Sequence, residues 1–122
     1  MPVLIIQGTS DNVVPFYGVP RQGLGYMSAA DSLLYWSLQN QCQTSSGIDP
    51  LEDTAPNDGT RVLLQTATDC ANNADVMLYG VYFGGHNYPG HVLGLELGTT
   101  TFDIDATEVI WDFFNAHSRS GE

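Results

Sequence analysis

Residues Val3-Leu4-Ile5-Ile6, introduced by Pro2 and ended by Gln7-Gly8, form an uninterrupted apolar run rich in β-branched side chains. A strand with one wet face alternates apolar and polar residues. A run without alternation suits a strand covered on both faces, as in a parallel sheet. Such a strand needs neighbours along both edges, yet this one stands at the start of the sequence, with nothing ahead of it to pair with.

The rest of the chain reads as elements that could cover it. Ser28 to Gln41 has helical periodicity: Ser28 with Asp31 makes an N-cap followed by an acid. Ala29, Leu33, Trp36 and Asn40 fall on one face, with Ala30, Leu34 and Leu38 beside it. Thr44 to Thr60 is polar and broken by Ser45-Ser46-Gly47, Asp49-Pro50 and Asn57-Asp58-Gly59, which marks a loop. Arg61 to Ala67 and Asp75 to Phe83 read as strands joined by a polar turn, an antiparallel hairpin. A Gly- and Pro-bearing loop, Gly84 to Thr101, leads to a last helix. There Asp105 and Glu108 make a capping box, and Val109, Ile110, Phe113 and Phe114 make an apolar stripe. This βαβα order predicts an α/β fold with parallel strands and a crossover helix, in a single domain spanning 1–122.

Charge narrows the function classes. The 122 residues hold 14 Asp and Glu against three Lys and Arg, for a formal net charge of −11. Nucleic-acid binding requires a basic surface, so it is not expected. The same charge opposes anionic membranes, and no apolar run is long enough to span a bilayer. Cys42 and Cys70 lie in no Cys-x-x-Cys or Cys/His ligand pattern, which argues against a metal. An even pair around a long polar stretch looks more like a disulfide, worth about 3–4 kcal/mol by loop closure, and implies an oxidising compartment. Two unrelated buried thiols are the alternative. No signal segment precedes the first strand; on export, the targeting segment would lie upstream of Met1.

Two positions carry candidate chemistry. Asp11 follows the first strand in Gly8-Thr9-Ser10-Asp11, and His86 follows another strand in Gly84-Gly85-His86-Asn87-Tyr88-Pro89-Gly90. In open α/β sheets the reactive crevice lies beyond the carboxyl ends of the strands. If the two strands are parallel neighbours, both side chains project from one edge. An Asp holding a His can fix its tautomer and support a general base. The plainer readings are an Asp that caps its own turn and a loop histidine. A metal held by His86, His91 and an aspartate has no supporting spacing, and no cofactor is implied.

In these motifs the chain resembles the C-terminal part of the polyhydroxybutyrate depolymerase and feruloyl esterase-like α/β-hydrolases, including the LpqC-type esterases. Pro2 to Asp11 is similar to the family's strand and acid turn. Ser28 to Cys42 resembles its helix ending in a cysteine, and Asp69-Cys70 its second cysteine. Gly84 to Gly90 resembles its histidine loop, and Asp103 to Phe114 its terminal helix. The motifs run in family order along nearly the whole chain. The resemblance implies that Asp11 is the triad acid and His86 the base of a secreted ester hydrolase. It also implies that Cys42 and Cys70 are bonded and that Tyr88 and Pro89 wall the substrate pocket.

The departures from that pattern are specific. No serine lies in a Gly-x-Ser-x-Gly elbow, and the oxyanion-hole loop is missing. Gln7 stands where the family commonly has histidine, and Ser10 adjoins Asp11 without an elbow to present it. The chain is therefore expected to be the acid-and-histidine half of such a hydrolase, inactive alone. Its partners would be the missing N-terminal half, or a second copy, and an ester substrate. A non-catalytic half-domain that dimerises or binds is the alternative.

Overall fold

The computed structural model describes residues 1–11, 16–18, 27–90 and 98–117. The opening apolar run forms β1 (Val3–Gly8). Ser28 caps α1 (Ala29–Gln39), its Oγ accepting the Asp31 N–H at 3.0 Å. The segment expected to be pure loop contains two short strands, β2 (Thr44–Ser45) and β3 (Asp49–Pro50). β4 (Arg61–Thr68) and β5 (Val76–Tyr82) follow, joined through a short 3-10 turn at Ala71–Asn73. Asp105 caps α2 (Ala106–Ala116), its Oδ1 accepting the Thr107 N–H at 2.9 Å.

These strands make one mixed sheet in the order β1-β5-β4-β2, with β3 also on β4. This corrects the expected parallel sheet and the expected C-terminal part of an α/β-hydrolase. Of the pairings, β1–β5 alone is parallel; β4–β5, β2–β4 and β3–β4 are antiparallel. The cause is the connection after α1. The chain does not return from the helix straight to the flank of β1. It runs first through β2 and β3 and then along β4, and the short 69–75 turn sends it back as β5. A turn that short can join only antiparallel strands. A strand-helix-strand order does not reveal that the second strand of the expected hairpin, and not the first, lies beside β1.

Among the described residues β1 is paired on one side only, and Val3 to Gln7 are half-buried rather than buried. Apolarity came from the faces, not from a central place in the sheet. Ile5 lies in register with Leu78, and both pack with Phe16, Ala29 and Leu33 under α1. Side chains alternate between faces along a strand. Tyr79, next to Leu78, accordingly points to the other side, where Asp112 of α2 is close enough to help burial raise the Tyr79 pKa. The two helices thus cover opposite faces.

Asn40, placed by periodicity on the apolar side of α1, is buried for a polar reason. Its Nδ2 donates to the Met1 carbonyl at 2.6 Å and to the Ala74 carbonyl at 3.1 Å, tying the starts of β1 and β5 together. Leu34 and Leu38 of α1, and Phe114 of the expected α2 stripe, are exposed. Cys42 and Cys70 are joined by a disulfide that links the chain after α1 to the β4–β5 turn, across a sequence separation of 28.

Candidate active site: an aspartate and a histidine at one end of β1 and β5

The parallel pairing ends with Gly8 beside Val81, so the chains leaving β1 and β5 enter the same space. Their turns are stitched together. The Thr9 N–H donates to the Val81 carbonyl and the Ser10 N–H to the Gly84 carbonyl, each at 2.8 Å. In return the Phe83 N–H donates to Thr9 Oγ1 at 2.8 Å. The approach is so close that a Cβ on Gly8 would sit 2.2 Å from the Gly84 oxygen, which no side chain permits. Phe83 adopts φ 66, a left-handed conformation that costs energy for a residue with a Cβ; it turns the chain into the histidine loop.

These turns bring Asp11 and His86 together across 75 positions of sequence, with Nδ1 of His86 2.8 Å from Asp11 Oδ2. The carboxylate side chain is 5% exposed and the imidazole 43% exposed. A carboxylate only accepts, so Nδ1 carries the hydrogen and, in the neutral ring, Nε2 carries the lone pair. No described residue bonds Nε2, and no described hydroxyl bonds the ring. The geometry is that of an oriented base whose working nitrogen is open to an incoming group.

The neighbouring sites behave differently. Pro89 is buried, its carbonyl accepting the Ala106 N–H at 3.0 Å, so the histidine loop abuts the first turn of α2. It helps line a recess with Ile6, Gln7, Gly85, Asn87 and Thr99, which lies behind the loop and includes neither Asp11 nor His86. Tyr88 is outside that lining; its hydroxyl lies 2.9 Å from Thr107 Oγ1 of α2. The disulfide is remote from the pair in the topology, at the opposite end of β4 and β5. His91, Ser118 and Ser120 lie outside the described residues.

Sequence reasoning passed over a second pair. His117 Nε2 lies 3.2 Å from Asp75 Oδ2, and its Nδ1 lies 2.8 Å from the Phe113 carbonyl. No local motif marks either residue. The only available signal was a histidine at the C-terminal end of a capped helix, where it can satisfy an orphan carbonyl.

No protein-family model matches the chain, and no curated protein or solved structure matches it either. The functional reading therefore rests on the pair itself.

Proposed function

We propose that this chain supplies the acid and the general base of a serine ester hydrolase resembling the polyhydroxybutyrate depolymerases and feruloyl or acetyl esterases. The observation that carries the reading is the 2.8 Å contact between a buried carboxylate and an exposed imidazole whose Nε2 no described residue bonds. In the complete site a serine hydroxyl would pass its proton to Nε2 while its oxygen attacks the ester carbonyl. Asp11 would stabilise the imidazolium, which then protonates the departing alcohol. Water activated by the same nitrogen would release the acid from the acyl-enzyme. The serine is not in a Gly-x-Ser-x-Gly setting anywhere in these 122 residues, so it would come from an N-terminal half or from another chain. A secreted location is the setting that the disulfide and the acidic composition fit, and no described helix is long and apolar enough to cross a membrane.

The test is hydrolysis of a short p-nitrophenyl ester by this chain alone and by this chain joined to a serine-elbow segment of such a hydrolase. Serine-dependent turnover should arise only in the joined form, and it should vanish in His86→Ala. Turnover indifferent to His86 sinks the reading.

A non-catalytic half-domain that pairs with a second copy is favoured by a different observation. The outer edge of β1 has no described partner, and Leu34, Leu38, Trp111 and Phe114 are exposed. Sedimentation equilibrium separates the readings: a tight dimer without esterase activity in any combination supports the half-domain.

A further inference from the structure

Among the described residues β1 has a neighbour on one side only, and its backbone shows how the other side is equipped. The Val3 N–H donates to the Asp75 carbonyl at 3.1 Å, and the Thr9 N–H to the Val81 carbonyl at 2.8 Å. Along a strand the N–H and C=O groups turn to alternate sides, so Val3, Ile5, Gln7 and Thr9 direct theirs to β5. Pro2, Leu4, Ile6 and Gly8 direct theirs to the outer edge. Pro2 has no N–H to give, and the Gly8 carbonyl already accepts the Asp11 N–H at 3.3 Å. The open edge therefore offers the Pro2 carbonyl, both groups of Leu4 and of Ile6, and the Gly8 N–H.

Strand edges left to water are usually blunted by charged side chains or a bulge, and β1 carries no charge. The helices that pack on its two faces, α1 and α2, leave Leu34, Leu38, Trp111 and Phe114 exposed. Those four side chains offer on the order of 500 Å² of apolar surface, against the roughly 800 Å² that each partner of a stable complex buries. A chain of formal net charge −11 meets its own copy with least repulsion where charge is sparse. β1 and α1 together hold one carboxylate, Asp31, and α2 adds Glu108 and Asp112.

We propose that the outer edge of β1 pairs antiparallel with the same edge of a second copy of this chain, about a two-fold axis at Ile5. This rests on the half-domain reading above and names its interface. Leu4 and the partner's Ile6 exchange both backbone hydrogen bonds, as do Ile6 and the partner's Leu4. Gly8 gives its N–H to the partner's Pro2 carbonyl. The donor that proline lacks then falls opposite the carbonyl that Asp11 already occupies, so both gaps in the edge coincide. A slip of two residues either way sets a Leu4 or Ile6 group against the Pro2 nitrogen or the engaged Gly8 carbonyl. The edge is complementary to itself in one register, and the two sheets become one.

The test compares the chain at about 10 µM and about 1 mM, in about 0.15 M salt, by sedimentation equilibrium and by amide hydrogen exchange. A dimer should form, and with it exchange at the Leu4 and Ile6 N–H groups should slow at least about tenfold relative to the Ile5 N–H, which β5 holds in either state. Leu4→Pro removes a donor that β5 does not use and should weaken association at least about tenfold. Should that variant fail to fold, exchange in the unaltered chain decides alone. A dimer whose Leu4 and Ile6 amides stay fast overturns this interface and leaves the half-domain reading standing. A chain still monomeric at the higher concentration overturns both.

Discussion

Among the described residues two aspartate–histidine pairs are built inside out from each other. At the end of β1 and β5 the carboxylate is buried and the ring is open: Asp11 is 5% exposed and His86 43%. At the start of β5 the order reverses, with His117 7% exposed and Asp75 24%. His86 uses one nitrogen and leaves the other unbonded among the described residues. His117 has both nitrogens engaged and lies against the Phe113 ring at 4.4 Å between centroids. Identical chemical partners thus make a candidate base in one place and a fastener between α2 and the sheet in the other. Which member is buried, and whether a nitrogen is left over, separates the two.

That contrast breaks most visibly in activity. In the form completed by a serine elbow, His86→Ala should lower kcat/KM for a short ester by about 10⁴-fold. His117→Ala, where folded, should leave it within a few-fold. Steady-state kinetics on both variants checks this, and equal losses would make the two pairs equivalent.

Stability should show the reverse order. His117→Ala removes a buried ring and two hydrogen bonds and should cost about 2–4 kcal/mol in denaturant unfolding. For scale, reducing the Cys42–Cys70 bond should cost about 3–4 kcal/mol, read as a lower melting temperature under reductant. His86→Ala should cost under about 1 kcal/mol, because water can reach the place its ring vacates. A large loss there would make His86 structural too.

A smaller effect separates the pairs from two other aspartates, Asp58 ahead of β4 and Asp103 ahead of α2. Burial opposes ionisation of Asp58, but hydrogen bonds from the Phe102 N–H, from the Thr60 hydroxyl and N–H, and from Thr101 outweigh it and lower its pKa. A lowered folded pKa means stability that is present above the unfolded value, about 3.9, and is lost as pH falls through the folded one. Asp103, raised, works the other way: its contribution is present below about 3.9 and is lost as pH rises through its folded value. Asp103→Asn should therefore flatten the loss of melting temperature as pH rises above about 3.9 and leave the acid limb, set by Asp58, in place.

The elements legible in advance were those whose signal is local. β1, β5 and both caps follow from residues within a few positions of one another, and so do the glycine turns that carry Asp11 and His86. The disulfide was legible as the better of two readings of Cys42 and Cys70. The mixed sheet, with β4 beyond β5 and the two short strands paired on β4, was not legible, because an element order does not state which strand lies beside which. Nor were β2 and β3, two residues each, inside a polar stretch. Asp75 with His117, 42 positions apart, follows no spacing rule at all.

By itself the sequence determined where the chain is apolar, where it turns, and which two side chains stand just past the ends of strands, since those properties belong to short stretches of polymer. The tertiary structure decided the mixed rather than parallel sheet, the place of β1 at its edge, and which histidine is sealed and which is open. Those outcomes depend on the order in which distant segments pack, and burial exists only once they have done so.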